Sequence, residues 1–150
     1  MPVYASVIWN PHHKTKIASL ERVQRKFIRM QCFQSNTEYN SNDYILHCVA
    51  NNLKSLCGRR QLADMTFLFN IVNGNLDSSL LQLINFHVPS RITRTHITFK
   101  PNKSRIDLHK NSSINRIQTS YNKFSINCID LDINSNKLTT FKHYLKEHVI

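Results

Sequence analysis

Over most of this chain the apolar positions recur with helical rather than strand spacing. Between about Thr15 and Gln31, at about 100° per residue, Ile17, Leu20, Val23, Phe27, Ile28 and Met30 gather on one side. Arg22, Arg25, Lys26 and Arg29 fall within an arc of roughly 100° on the other. Upstream, Val3–Trp9 reads as the last turns of a helix stopped by Asn10-Pro11. Asn10 is placed to cap the next helix, because asparagine accepts amide hydrogen bonds and proline is tolerated at a first helical position. Residues 34–42 are polar and loop-like. Ser41 or Asn42 can then cap a short helix over 43–50, with Tyr44, Ile45, Cys48 and Val49 on its inner side.

Asn51-Asn52 breaks that helix, and Ser55 caps a longer one over 56–73. Leu62, Met65, Phe67, Leu68, Phe69, Ile71 and Val72 cover most of its circumference, the signature of a buried central helix. Gly74 ends it by supplying a left-handed cap position. Asp77 or Ser78 starts a further short helix carrying Leu80, Leu81, Leu83 and Ile84. The run from Phe86 to Phe99 holds β-branched residues and a proline and reads as extended chain with a hairpin. Ser113 can cap a helix over 114–124, where Ile117, Tyr121 and Phe124 recur, and a last helix over about 140–148 carries Phe141, Tyr144 and Leu145. The expected fold is mainly α: a bundle-like single domain of about five or six helices with one basic extended or hairpin segment around 86–105.

Composition narrows the function classes. Its 150 residues suffice for one modest core, and 41% apolar content argues against wholesale disorder. Two glycines are too few for a turn-rich β-sandwich or a dinucleotide-binding loop. The net charge of +11, from 20 Lys and Arg against 9 Asp and Glu, favours polyanionic partners, chiefly the backbone of RNA or DNA. An anionic membrane surface would attract the same charge, but no run approaches the ~18 apolar residues of a spanning helix. With no signal-peptide pattern at its start, the chain reads as intracellular. No membrane and no small-molecule partner is expected.

Candidate chemistry is sparse. Cysteines 32, 48, 57 and 128 stand apart without Cys-x-x-Cys or histidine at ligand spacing, so they read as reduced, packed thiols rather than a zinc site. His12 and His13 read as solvated turn residues. Two-metal phosphoryl chemistry needs clustered carboxylates. Asp130 and Asp132 form a close pair without a third acid and read as structural. No phosphate-binding loop, nucleophile elbow or His-Glu-x-x-His occurs, and no metal or other cofactor is expected. Arg59 and Arg60 lie in the first turns of the central helix, where the macrodipole disfavours cations. Arg60 can pair with Asp64 at i, i+4 or meet a phosphate, and Arg59 is the less explained of the two. From Phe86 to Phe124 there are eight cations against one acid, Asp107. Arg91 and Arg94 there belong either to a solvated loop or to a phosphate contact, and aromatic interleaving is too thin for a base-stacking platform.

The ordered set Tyr4-Ala-Ser-Val-Ile-Trp-Asn-Pro, Leu20-Glu-Arg-Val-Gln-Arg-Lys-Phe-Ile-Arg, Ser55-Leu-Cys-Gly-Arg-Arg, Phe67-Leu-Phe-Asn-Ile-Val-Asn-Gly and Phe86-His-Val-Pro-Ser-Arg spans much of the chain. With Asn111-Ser-Ser-Ile-Asn-Arg, Tyr121-Asn and Phe141-Lys, it resembles the C-terminal end of reverse transcriptases from non-LTR retrotransposons, the jockey-type mobile elements. The resemblance implies that residues 1–33 are a remnant of the polymerase thumb helices. It implies that 34–150 are a post-polymerase helical region packed with them as one unit. The family's aromatic-x-Asp-Asp motif is absent, so the implied chain is a non-catalytic fragment, not an enzyme by itself. Its partners would be nucleic-acid backbone and the missing palm and fingers. Arg22, Arg25, Lys26 and Arg29 are the first candidates for that backbone, with Arg59, Arg91 and Arg94 behind them. The alternative is a decayed or reused structural or protein-interaction remnant with no nucleic-acid role.

Overall fold

The computed structural model describes residues 5–40, 44–51, 53–91, 97–127, 131–134 and 137–148. The protein is mainly α-helical, as the spacing predicts. Among the described residues there are seven helices: α1 (Lys14–Gln34), α2 (Tyr44–Ala50), α3 (Leu56–Val72), α4 (Ser78–Leu81), α5 (Asp107–Lys110), α6 (Ser113–Asn127) and α7 (Leu138–His148). They fall into two compact units, one over 11–60 and one over 5–10 with 61–150; α3 contributes its first turns to the former and the rest to the latter.

In the first unit, α1 runs three residues past the expected Gln31 because Asn36 supplies its stop. Asn36 has φ 55°, its amide donates to the Phe33 carbonyl, and Thr37 N–H reaches back to the Cys32 carbonyl at 2.9 Å. That pair of bonds is the Schellman termination, which asparagine fills less often than glycine. At the other end Asn10 does not cap α1. The residue before the helix is His13, with no side-chain cap bond, and the Asn10 amide is engaged elsewhere. The small core of this unit is Ile28, Cys32 and Cys48, with Tyr39, Tyr44 and Leu53 packed on it. Asn51 closes α2 by donating from Nδ2 to the His47 carbonyl at 2.8 Å. The proposed caps at 41–42 lie outside the described residues.

The boundaries of α3 follow the expectation. Ser55 Oγ accepts from Gly58 N–H at 3.0 Å. Gly74, at φ 69°, ends the helix through the Asn75-to-Asn70 bond of 2.9 Å. Met65, Leu68, Phe69 and Ile71 are buried in the core of the second unit with Ile84, Phe99, Ile117, Tyr121, Leu131, Ile133, Phe141 and Leu145. Asp77, rather than Ser78, caps the single turn of α4 by accepting from Ser79 N–H at 2.9 Å. That bond holds the Asp77 carboxyl below its ordinary range. Among the described residues the extended segment shows one antiparallel bridge, Phe86 with Phe99, flanked by His87 N–H to the Thr98 carbonyl and Lys100 N–H to the Asn85 carbonyl. The turn of α5 has no signature in the sequence; four residues are too few to carry a period. Asp132 accepts from Asn134 N–H at 2.9 Å in a tight turn, the structural role expected for it, while Asp130 and Cys128 lie outside the described residues.

Residues 5–8 form a turn and not the end of a helix. Ala5 takes φ 55°, and its carbonyl accepts from both Ile8 and Trp9 amides at 2.9 and 3.2 Å. Polar clamps hold this segment to α3 and α6 within its unit. Arg116 Nη2 donates to the Val7 carbonyl at 2.7 Å, Ser113 Oγ to the Ile8 carbonyl at 3.3 Å, and Asn10 Nδ2 to Asp64 Oδ2 at 3.4 Å. Ser113 is therefore the first residue of α6 and a tether, not its cap.

Tyr121 supplies a pH test of this core. Its ring is 2% exposed and its hydroxyl donates to the Leu131 carbonyl at 2.9 Å. Burial pushes the phenol up to about 12 from 10.0. A group raised on folding stabilises fully below its unfolded value and loses that contribution as pH climbs through the folded one. Urea midpoints are expected to hold up to about pH 10 and fall between 10 and 12. Tyr121→Phe should be less stable at neutral pH and markedly flatter across that window; an equally steep fall in the variant would place the titration elsewhere.

Candidate nucleic-acid interface

Helix α1 has three faces rather than the two its spacing suggests. Its buried side is Gln24, Ile28 and Cys32, with Ile17, Leu20, Glu21 and Gln31 half-buried. Val23, Phe27 and Met30, expected in the core, are 44%, 50% and 59% exposed. The cause is polar. Gln24 Nε2 donates to the Lys54 carbonyl at 3.1 Å and lies 3.7 Å from Cys48 Sγ, and its Oε1 accepts from Arg59 Nη2 at 2.7 Å. A glutamine satisfied at both ends is cheap to bury, and it turns the helix toward the Ile28 side.

The third face is the cationic arc. Arg22, Arg25, Lys26 and Arg29 are all exposed. Two of them rest on aromatic rings: the Arg25 guanidinium lies 5.1 Å from the Tyr44 ring centroid, and that of Arg29 5.1 Å from the Tyr39 ring. Such stacking is worth about 0.5–1 kcal/mol at exposed sites and orients the guanidinium without neutralising it. Glu21, the nearby acid in sequence, has both carboxylate oxygens engaged. Its Oε2 accepts from the Tyr44 hydroxyl at 3.1 Å and its Oε1 from Cys57 N–H at 3.0 Å. Burial, with Cys48 and Glu21 alongside, raises Tyr44 well above the ordinary phenol range, so it stays a neutral donor. The four cations thus form an exposed basic arc on a helix that packs against α2.

The remaining candidates are dispersed. Arg59 is half-buried and holds Gln24, so it serves the packing of α1. Arg91 is exposed. Arg94 lies outside the described residues. The carboxylate that the sequence offers to Arg60 is taken by Arg116 of α6, whose Nε and Nη2 each lie 3.1 Å from an oxygen of Asp64. The roles of Tyr39 and Tyr44 beneath the arc have no signature in the sequence, because no spacing rule links a cation to rings ten and nineteen positions after it.

Among the described residues no group of three His, Cys, Asp or Glu could hold a metal ion, and no helix is long and apolar enough to cross a membrane. His12 and His13 lean on each other, ring centroids 4.0 Å apart, and both are exposed. A cavity of about 80 Å³ lined by Val23, Gln24, Phe27, Leu53, Leu56 and Arg59 is small beside ligand pockets of roughly 300–1,000 Å³. Comparisons with protein-family models, curated proteins and solved structures find no match.

Proposed function

We propose that this chain binds the sugar–phosphate backbone of RNA or DNA through the α1 arc, without reading sequence. In this reading it is a non-catalytic C-terminal portion of an RNA-directed DNA polymerase of the non-LTR retrotransposon type. Such a portion would act beside the palm and fingers of that polymerase. The observation that carries the binding claim is the arrangement of Arg22, Arg25, Lys26 and Arg29. They are exposed together, two are oriented on tyrosines, and the adjacent Glu21 is occupied by Tyr44 and Cys57. The family assignment rests on the ordered motifs alone.

Counterion release gives the test a magnitude. If all four cations meet phosphates on a duplex, the slope of log affinity against log salt is about −3.6, or roughly a hundredfold loss between 50 and 200 mM salt. The variant R22Q/R25Q/K26Q/R29Q is expected to lose most of that slope along with affinity. A duplex affinity that is flat across this range, or unaltered in the variant, would refute the reading. A structural or protein-interaction remnant is the second reading, favoured by the exposed Val23, Phe27, Met30 and Phe33 on the same helix. It anticipates no salt-sensitive binding at all.

A further inference from the structure

The second unit carries an open groove of about 690 Å³ beside the Phe86–Phe99 bridge, whose walls include Asn85, Phe86, Lys100, Asn102 and Lys103. Phe86 is 47% exposed although it sits at a paired backbone position. Its ring is supported from behind. Phe99, fully buried, packs on it with centroids 5.3 Å apart and meets Tyr121 edge-on at 5.2 Å. The Phe99 backbone is itself clamped, since Asn122 Oδ1 accepts from its N–H at 3.1 Å and Asn122 Nδ2 donates to its carbonyl at 2.7 Å. The segment holds too few aromatics for a platform of several bases, but one half-exposed ring on a rigid backing is what stacking of a single base requires, because little side-chain freedom remains to be lost on binding.

Around this ring the chemistry is that of a nucleotide site. Lys100 and Lys103 are exposed and separated by at most about 10 Å of extended chain, a reach suited to the phosphates flanking one or two bases. The amides of Asn85 and Asn102 are joined by one hydrogen bond of 3.0 Å, Asn85 Nδ2 to Asn102 Oδ1. This leaves an acceptor on Asn85 and a donor on Asn102, the pairing that base edges present. Among the described residues no acidic side chain lines the groove. We propose that this groove is a subsite for single-stranded nucleic acid, with a base stacked on Phe86 and the adjoining phosphates held by Lys100 and Lys103. Duplex is a poor occupant, because its bases are already stacked on one another.

The proposal deepens the nucleic-acid reading and rests on it, but uses a different helix-free element, so the two fail separately. The experiment is fluorescence anisotropy on the full chain with a labelled single strand of about 12 nucleotides and its duplex, at low and moderate salt. Phe86→Leu keeps an apolar side chain against Phe99 and removes the ring face. It is expected to weaken single-strand binding about tenfold, in line with the loss of one stacked base, and to leave duplex binding within about twofold. Phe86→Trp should retain single-strand affinity, and K100Q/K103Q should lower both that affinity and its salt slope. Thermal midpoints of the variants within a few degrees of the parent verify that the fold is intact. Single-strand affinity unaffected by Phe86→Leu, or equal losses on both nucleic acids, overturns the groove and leaves the α1 arc standing. Loss of duplex binding in the α1 variant with the Phe86 effect preserved supports both. Failure of the unmodified chain to bind either oligonucleotide removes both together.

Discussion

Phe99→Ala is expected to lower folding stability by about 3–5 kcal/mol, the cost usually found for deleting a buried aromatic ring. Phe99 is fully buried and belongs to the core of the second unit. A ring of this kind removes roughly 150–250 Å² from water, which at about 25 cal/mol per Å² is of the same size as that loss. The space left behind would be hard to refill. Tyr121, the edge-on neighbour at 5.2 Å, is tied through its hydroxyl to the Leu131 carbonyl, and Asn122 keeps the Phe99 backbone in place. Urea unfolding should show a midpoint lower by about 2 M at an m-value of about 2 kcal/mol/M. Val88→Ala, at a position 87% exposed, should stay within about 0.5 kcal/mol. A loss below about 1.5 kcal/mol at Phe99 would mean that the core does not close on this ring.

What the sequence made legible is the part of the structure determined by local chemistry. The Ser55 cap, the Gly74 stop and the apolar wrap between them place α3 because each acts within a few residues of chain. Ile117 and Tyr121 on α6, and Phe141 and Leu145 on α7, turn inward at the expected spacing for the same reason. The facing of α1 was not legible. Its apolar count favours Val23, Phe27 and Met30, whereas burial is decided by Gln24, whose partners Lys54, Cys48 and Arg59 lie twenty-four or more residues away. The turn at residues 5–8 escaped likewise, since the Arg116 and Ser113 clamps come from the far end of the chain. The candidate site divides along this line. The cations of the arc can be placed on one helical face from spacing alone, because solvated charges answer to nothing but their own helix. The tyrosines beneath them and the occupation of Glu21 depend on tertiary neighbours.

Arg116 is the position where one substitution separates pairing from packing. Its guanidinium meets Asp64 side by side, Nε to Oδ2 and Nη2 to Oδ1 at 3.1 Å each, with side chains only 15% and 4% exposed. Arg116→Leu would take the guanidinium from a buried carboxylate that still accepts from Asn10 Nδ2 and should cost about 3 kcal/mol, the lower end for breaking a buried pair. Asp64→Leu would leave the guanidinium with the Val7 carbonyl alone and should cost a comparable amount. In the double variant no uncompensated charge remains, and well-packed apolar replacements of buried pairs are often neutral. Its stability is therefore expected within about 1–2 kcal/mol of the parent, far from the sum of the single losses. Denaturant unfolding of the four proteins gives the coupling energy directly. Additive losses would show that each side chain acts through contacts of its own. A local signal should accompany the global one, since Arg116 also anchors the carbonyl of Val7. In Arg116→Leu the amides of Ile8 and Trp9 should exchange faster than in Asp64→Leu, where that anchor is retained. Equal exchange in the two would mean that residues 5–10 are held by the Ser113 contact and by the bonds of their own turn, with Arg116 serving the ion pair alone.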